Sequence, residues 1–422
     1  MSLALGIDIG TSGVRTAVLD GDKPISMARA AHPTQDPARI DANGWWAAVE
    51  TCLTHQMSAL HGVGASPGDI ASIAVDGTSG SMVLTDAALI PVSPGLMYNS
   101  KGFDTEAAQI AACVKGDHIT KGSNSALARA MRLVSLCDGK PVHLLHQADF
   151  IAAKLLGHGG HSDYNNALKT GFDPEGECWP AWIDQVIDTA LLPQVHSPGA
   201  PIGSICAKMA AHFHLSPDAV VHAGTTDSIA AFLASAPVKE GVAVTSLGST
   251  LAIKLLSATR IDDPTVGLYS HRLGDLWLVG GASNTGGAVL KRHFNDDALQ
   301  RLSAKIDPNT PLDLDYYPLN EPGERFPIND PDLQPVMHPR PKDDAAFLQA
   351  MLEAIARIEA RCYAEIKARG GSAPAVIYTA GGGAQNDIWT AIRARHLGVS
   401  PQNAAQSEAA IGAAKLASVA SS

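Results

Sequence analysis

Residues 3–20 read LALGIDIGTSGVRTAVLD: an apolar run, a turn of small residues, and a second apolar run. Two such runs joined by glycine and hydroxyl residues predict a β-hairpin. Within it, Asp8-Ile9-Gly10-Thr11-Ser12-Gly13-Val14-Arg15 carries the chemistry. Glycines there let a tight turn bring backbone N–H groups and two hydroxyls against phosphate oxygens, and Asp8 at the strand end can hold a magnesium ion through water. An ordinary β-turn is the alternative, and this motif alone does not separate the two. No GxxxxGK[ST] occurs, which excludes an ordinary P-loop.

The plan returns at 241–257, GVAVTSLGSTLAIKLLS, where Gly248-Ser249-Thr250 stands as Gly10-Thr11-Ser12 stood, without the aspartate. Such an echo suggests two domains built on one plan and facing one ligand. The two turns would then clasp one triphosphate, with the metal-facing carboxylate on the Asp8 side; a second ordinary hairpin is the alternative. Between the hairpins lies His222-Ala223-Gly224-Thr225-Thr226-Asp227-Ser228, directly before the helical run IAAFLAS. An aspartate at a helix start serves as an N-cap, and the same helix dipole keeps a carboxylate ionised, as a general base must be. Further on, Gly381-Gly382-Gly383-Ala384-Gln385-Asn386 separates a strand from a helix, with Trp389 one turn later. Consecutive glycines let a flat purine lie against the backbone, although they also simply end strands. Gly280-Gly281-Ala282-Ser283-Asn284-Thr285-Gly286-Gly287 is read either as a loop closing over phosphates or as a plain loop.

Around these motifs the pattern alternates between strand and helix, as in an α/β domain. Helices are expected at 43–61, 104–116, 142–157, 345–370 and near the C-terminus, and strands at 70–77 and 82–86. Turn-rich connections are expected over SDYNNALKTGFDP and LLPQVHSPGAPIG, and a long ordered loop over 313–341. The 422 residues allow two or three domains with sizeable cores. A net charge of −11 argues against a nucleic-acid surface and favours a small-molecule substrate. No apolar stretch approaches the length of a membrane span and the N-terminus lacks signal-peptide features, so a cytoplasmic protein with no membrane partner is expected. Six cysteines without a CxxC pair read as reduced core thiols.

The order of these motifs resembles the FGGY carbohydrate kinases from end to end, and among them the short D-ribulose kinases of cyanobacteria and plants. The shared text includes DGTSG at 76–80, SDYNNALK at 162–169, GTTDSIAAFLAS at 224–235, AVTSLGST at 243–250, YSHRLG at 269–274, GGASNTGGA at 280–288, DYYPL at 315–319 and GERFPI at 323–328. The resemblance implies an α/β protein of two ribonuclease-H-like, actin-like ATPase domains flanking a central cleft. It implies a sugar-binding domain over 1–234, with the helix at about 408–422 packing back on it, and an ATP-binding domain over 235–407. By the same resemblance Asp227 is the catalytic base, and Asp8 and Thr11 are the metal- and phosphate-facing residues. Ser12, Gly13, Arg15 and Ser79 lie near the sugar. Gly248, Ser249 and Thr250 form the second phosphate turn, and Gly281, Gly382, Gly383, Ala384, Gln385, Asn386 and Trp389 hold ATP. ATP and Mg2+ are the implied cofactors, and a monomer or homodimer the implied state. Xylulokinases of this class carry Gln-Met-His-Gly where this chain has Asp76-Gly77-Thr78-Ser79-Gly80, and the tryptophan-bearing family signature is not recognisable near 123–137. These departures count against D-xylulose. The rival readings are a xylulokinase or glycerol-type kinase, an actin- or chaperone-like nucleotide switch, and a degenerate sugar sensor.

Overall fold

The computed structural model describes residues 2–36 and 39–419. The chain opens with β1 (Leu3–Ile9), β2 (Gly13–Asp20) and β3 (Lys23–Ala31), followed by α1 (Ala42–Gly62), β4 (Ile70–Gly77) and β5 (Met82–Thr85). It continues through α2 (Asp104–Cys113), α3 (Ala126–Ser135), β6 (His143–His146), α4 (Gln147–Leu156), β7 (His161–Asp163) and α5 (Tyr164–Thr170). Then come β8 (Gln194–His196), β9 (Pro201–Ser204), α6 (Ala207–Phe213), β10 (Val220–Thr226) and α7 (Asp227–Ser235). The second half holds β11 (Val242–Leu247), β12 (Leu251–Ser257), β13 (Tyr269–Leu273), β14 (Leu276–Ser283), α8 (Gly287–His293), α9 (Asp296–Ser303) and α10 (Asp344–Ala368). It ends with β15 (Val376–Ala380), α11 (Asp387–Leu397), β16 (Gln402–Asn403) and α12 (Ala409–Val419). None of these helices is long and apolar enough to cross a membrane.

Two compact units result, one taking in the chain up to Ala234 together with the segment from Glu408, the other running Ser235–Ser407. The first is built on a sheet of order β3-β2-β1-β4-β10-β9. Its strands β1, β2 and β3 form an antiparallel meander, and β4 and β10 continue from β1 in parallel. All seven residues of β1 are buried, as the continuous apolar run 3–9 requires of a strand covered on both faces. On one face lies α1, capped by Asp41 and burying Trp45, Val49, Leu53 and Leu60; on the other lies α12. Gly6 and Gly412 permit that second layer. A Cβ on Gly6 would sit 1.9 Å from the Ala410 carbonyl oxygen, and one on Gly412 would sit 1.7 Å from that of Ala230 on α7.

The second unit has the order β13-β14-β12-β11-β15-β16, in which β11, β12 and β14 are antiparallel neighbours as β1, β2 and β3 are, although the chain passes through the edge strand β13 between β12 and β14, and β15 pairs with β11 in parallel. Its core gathers along α10, where Phe347, Leu348, Met351, Leu352, Ile355, Ile358 and Ile366 are buried. The expected long loop over 313–341 carries no helix or strand.

Four expectations fail locally. The expected connection LLPQVHSPGAPIG at 191–203 contains β8 and most of β9, which pair with β7 and β10. Residues 142–157 are not one helix: His143–His146 pair antiparallel with β5, and α4 begins only at Gln147. The 162–174 connection contains α5, because the Asp163 side chain accepts from the N–H groups of Asn165 and Asn166 and so starts a helix that Gly171, at φ +110°, stops. Residues 280–283 belong to β14 and are not loop. All six cysteines are free.

Candidate active site

In the first unit three aspartates stand at the C-terminal ends of three adjacent parallel strands. Asp8 of β1 and Asp76 of β4 are register partners; Thr225 of β10 pairs with Asp76, and Asp227 opens the following helix. Asp8 is 3% exposed and Asp76 is fully buried. The Arg15 guanidinium approaches Asp8 Oδ2 at 3.4 Å and Glu408 Oε2 at 3.5 Å. Neither Asp76 oxygen meets an N–H or O–H donor, and the neighbour within hydrogen-bonding reach is the Asp8 carboxyl. Two carboxylates can satisfy each other only by sharing a proton. Accordingly burial, then the charges of Asp8 and Asp227, push the Asp76 carboxyl well above its usual range, and burial raises Asp8 as well.

Gly224 sets the spacing of this row. It occupies the irregular step between His222 and Thr225 in the β10–β4 ladder, and a Cβ there would stand 1.8 Å from the Val75 carbonyl oxygen. The β1–β2 turn closes through Gly10 N–H to the Gly13 carbonyl at 2.9 Å, leaving Thr11 and Ser12 exposed and Gly13 packed on Ala30, where a Cβ would lie 2.3 Å from the carbonyl oxygen. On the far side of β4, Ser79 keeps a buried hydroxyl with no protein partner, and so do the Gln147 amide nitrogen and the Thr226 hydroxyl. The Arg129 guanidinium, 1% exposed, holds the Gly80, Tyr98 and Asn124 carbonyls, and burial lowers its pKa to about 10.

In the second unit a cavity of about 760 Å³ is lined by Gly248, Ser249, Gly287, Ala288, Lys291, Gln300, Ser303, Gly382, Gly383, Gln385, Asn386 and Trp389, among others. Three glycine segments form one wall because their backbones touch. The N–H of Gly287 donates to the Gly248 carbonyl at 2.9 Å, and a Cβ on Gly381 would meet the Leu247 carbonyl oxygen at 2.7 Å. Asn386 caps α11 through Oδ1 to the Trp389 N–H at 3.0 Å, while its Nδ2 donates to Ser303 Oγ at 2.9 Å. Trp389 is 2% exposed, and its indole N–H has no partner.

The structure therefore gathers Asp8, Asp76 and Asp227 in one unit, and Gly248, Ser249, Gly382, Gly383, Gln385, Asn386 and Trp389 around the cavity of the other. Thr250 and Ala384 fall outside the lining residues, Ala384 being buried with its N–H bonded to the Gly381 carbonyl. Gly281 lies within β14, its Cα facing the Phe326 ring, where a Cβ would be 2.8 Å away. Sequence reasoning missed Asp76. A signal existed, since IASIAVDG at 70–77 ends on Asp-Gly much as LALGIDIG ends on Asp-Ile-Gly.

Residues 243–421 match the model of the FGGY family of carbohydrate kinases, C-terminal domain. A xylulose kinase of Lactococcus lactis is 23% identical over 266 residues, 59% of this chain, and the match spans about half of that protein, 52%. Among solved structures, a xyloylose kinase of Brucella ovis superposes with a TM-score of 0.85 at 22% identity, covering 99% of this chain and 90% of the other. A xylulose kinase of Rhodospirillum rubrum gives 0.84 at 22%, covering 100% and 90%. The two-domain, ribonuclease-H-like α/β fold implied by the sequence is thus the fold of the chain.

Proposed function

We propose that the protein transfers the γ-phosphate of ATP to the primary hydroxyl of a ketopentose, with D-ribulose as the leading acceptor. The observation that carries this reading is that the chain holds two sites of complementary chemistry, one in each unit: a row of carboxylates at strand ends, and a glycine-walled cavity ending on a buried tryptophan. The cavity volume suits a nucleoside, and backbone amides in glycine turns suit its phosphates.

In this mechanism Asp227 accepts the proton of the acceptor hydroxyl as its oxygen attacks the γ-phosphorus in line. Its place in the first turn of α7 favours the ionised form that a base needs. Asp8 and Arg15 orient the acceptor, and the unpartnered Ser79 hydroxyl offers it a further hydrogen bond. In its own unit each of the turns at Thr11 and Gly248 offers backbone N–H groups suited to phosphoryl oxygens. Among the described residues no group of three or more His, Cys, Asp or Glu forms a self-sufficient metal site, which fits a magnesium ion brought with the nucleotide and held through water by Asp8. Bound there, the ion would neutralise phosphate charge.

The Asp76-Gly77-Thr78-Ser79-Gly80 stretch, in place of Gln-Met-His-Gly, supports D-ribulose over D-xylulose. The xylulose kinase names of the relatives make D-xylulose the second acceptor to test. The test is a panel of ketoses and polyols assayed for ADP release, run with wild type and with Asp227→Asn. D-ribulose should give the highest kcat/KM, and the variant should lose transfer while still binding nucleotide. A nucleotide hydrolysis rate that no sugar changes would instead favour a nucleotide switch.

A further inference from the structure

Beneath the glycine turns of the second unit, five buried side chains form one network. Arg393 of α11 and Glu359 of α10, both with side chains 0% exposed, make a bidentate pair: Nε to Oε2 at 2.7 Å and Nη2 to Oε1 at 2.8 Å. The remaining Arg393 Nη1 donates to Thr379 Oγ1 at 2.9 Å. Thr245 Oγ1 donates to Glu359 Oε1 at 2.6 Å, so the Tyr363 hydroxyl, 2.8 Å from Thr245 Oγ1, is the donor in that contact. Thr245 and Thr379 are register partners in the β11–β15 ladder. Thr245 lies three residues before Gly248, and Thr379 two residues before Gly381. Arg393 lies one helical turn after Trp389, and Glu359 lies two turns after Leu352, which also lines the cavity.

Burying an ion pair adds little net stability compared with apolar residues of the same size, whereas leaving one of its charges unpaired is strongly destabilising. Such a pair therefore selects one arrangement of the elements it joins. Here the selected elements are the two strands that deliver the glycine turns and the helix that carries Trp389. Any slip of α11 along β15 or α10 would strand Arg393 or Glu359 without its partner. No polar atom of the five is left unsatisfied, in contrast to the indole N–H of Trp389 at the cavity wall.

We infer that Arg393 and Glu359 are positioning residues that hold both glycine turns and Trp389 in a nucleotide-ready arrangement before any nucleotide arrives. The inference rests on the nucleotide reading of the cavity. It places the affinity for nucleotide, rather than the stability of the fold, under the control of a pair that touches no ligand.

The test replaces the pair with apolar side chains of similar volume, Arg393→Met with Glu359→Leu, and titrates Mg-ADP calorimetrically in the absence of sugar. The double variant should melt close to wild type, yet bind Mg-ADP more weakly by on the order of tenfold. KM for Mg-ATP should rise in step, and KM for the sugar should change far less. A double variant that melts normally and binds Mg-ADP with wild-type affinity overturns the inference. If the double variant does not fold, Arg393→Lys decides, since it keeps a charge but not the fork: reduced Mg-ADP affinity supports positioning and wild-type affinity refutes it. Wild type failing to bind Mg-ADP at all would refute the nucleotide reading itself, a result distinct from any outcome of the sugar panel.

Discussion

Replacing Gly224 by alanine tests whether the spacing of the carboxylate row governs turnover. The added Cβ would start 1.8 Å from the Val75 carbonyl oxygen, and reaching a tolerable 3.0 Å needs about 1.2 Å of separation between β10 and β4. Backbone on both sides resists, so the strain cannot be relieved by a side chain swinging away. Val75 adjoins Asp76, and Gly224 lies three residues before Asp227, so the separation moves Asp227 relative to Asp76 and Asp8. Misplacing a reacting group by roughly 1 Å costs about a hundredfold in rate, and overpacking costs about 1–3 kcal/mol in stability. The expected result is a kcat for the proposed sugar phosphorylation reduced about a hundredfold, with a lowered Tm and with Mg-ADP affinity retained, because every residue lining the proposed nucleotide cavity belongs to the other unit. Gly62→Ala is the control: a Cβ there meets nothing within 4 Å, and its melting point and kcat should match wild type. Wild-type turnover in a folded Gly224→Ala protein would refute the link between strand spacing and catalysis.

Asp76→Asn should raise Tm at pH 8 by more than at pH 5. The folded-state pKa of Asp76 lies well above its unfolded value, so its contribution to stability is complete in acid and is lost as pH rises through the folded value; equal gains at the two pH values would count against a proton shared with Asp8. Asp163, raised to about 6 by burial and then by Asp149, follows the same sign. Its shift of about two pK units corresponds to about 3 kcal/mol lost between roughly pH 4 and 6, and Asp163→Asn, which keeps the α5 cap, should remove that slope in denaturant titrations across this range. Gly412→Ala should lower Tm through about 1–3 kcal/mol of overpacking against Ala230, a drop that calorimetry would show.

The motifs that depend on local chain are legible in the sequence alone. The hairpin at 3–20, its echo at 241–257 and the strand, glycine turn and helix at 376–397 lie where hydrophobic period and turn residues place them. What is not legible depends on partners distant in sequence. His143–His146 has enough helical character to be absorbed into the helix that follows, and only its pairing with Met82–Thr85 makes it a strand. The α5 signal, conversely, is local and readable, since an aspartate two residues before Asn165 is an N-cap pattern; the turn residues around it mask the short helix it starts.

Asp76 marks the limit in another way. A strand ending in Asp-Gly is visible in sequence, but its alignment with Asp8 arises from the β1–β4 register, which pairs residues 68 positions apart. Asp227 gains its meaning by the same route. Taken locally it is a residue in the first turn of a helix, and every helix offers such a place to an acid. What distinguishes this one is that α7 follows the strand beside β4, and that Gly224 lets that strand lie against Val75 closer than any other residue would allow. The proposed base is therefore specified less by its own side chain than by a missing Cβ three residues earlier, which is why the glycine substitution and the Asp227 substitution should both impair the proposed transfer while differing in stability: Asp227→Asn leaves the β4–β10 contact intact, and Gly224→Ala does not.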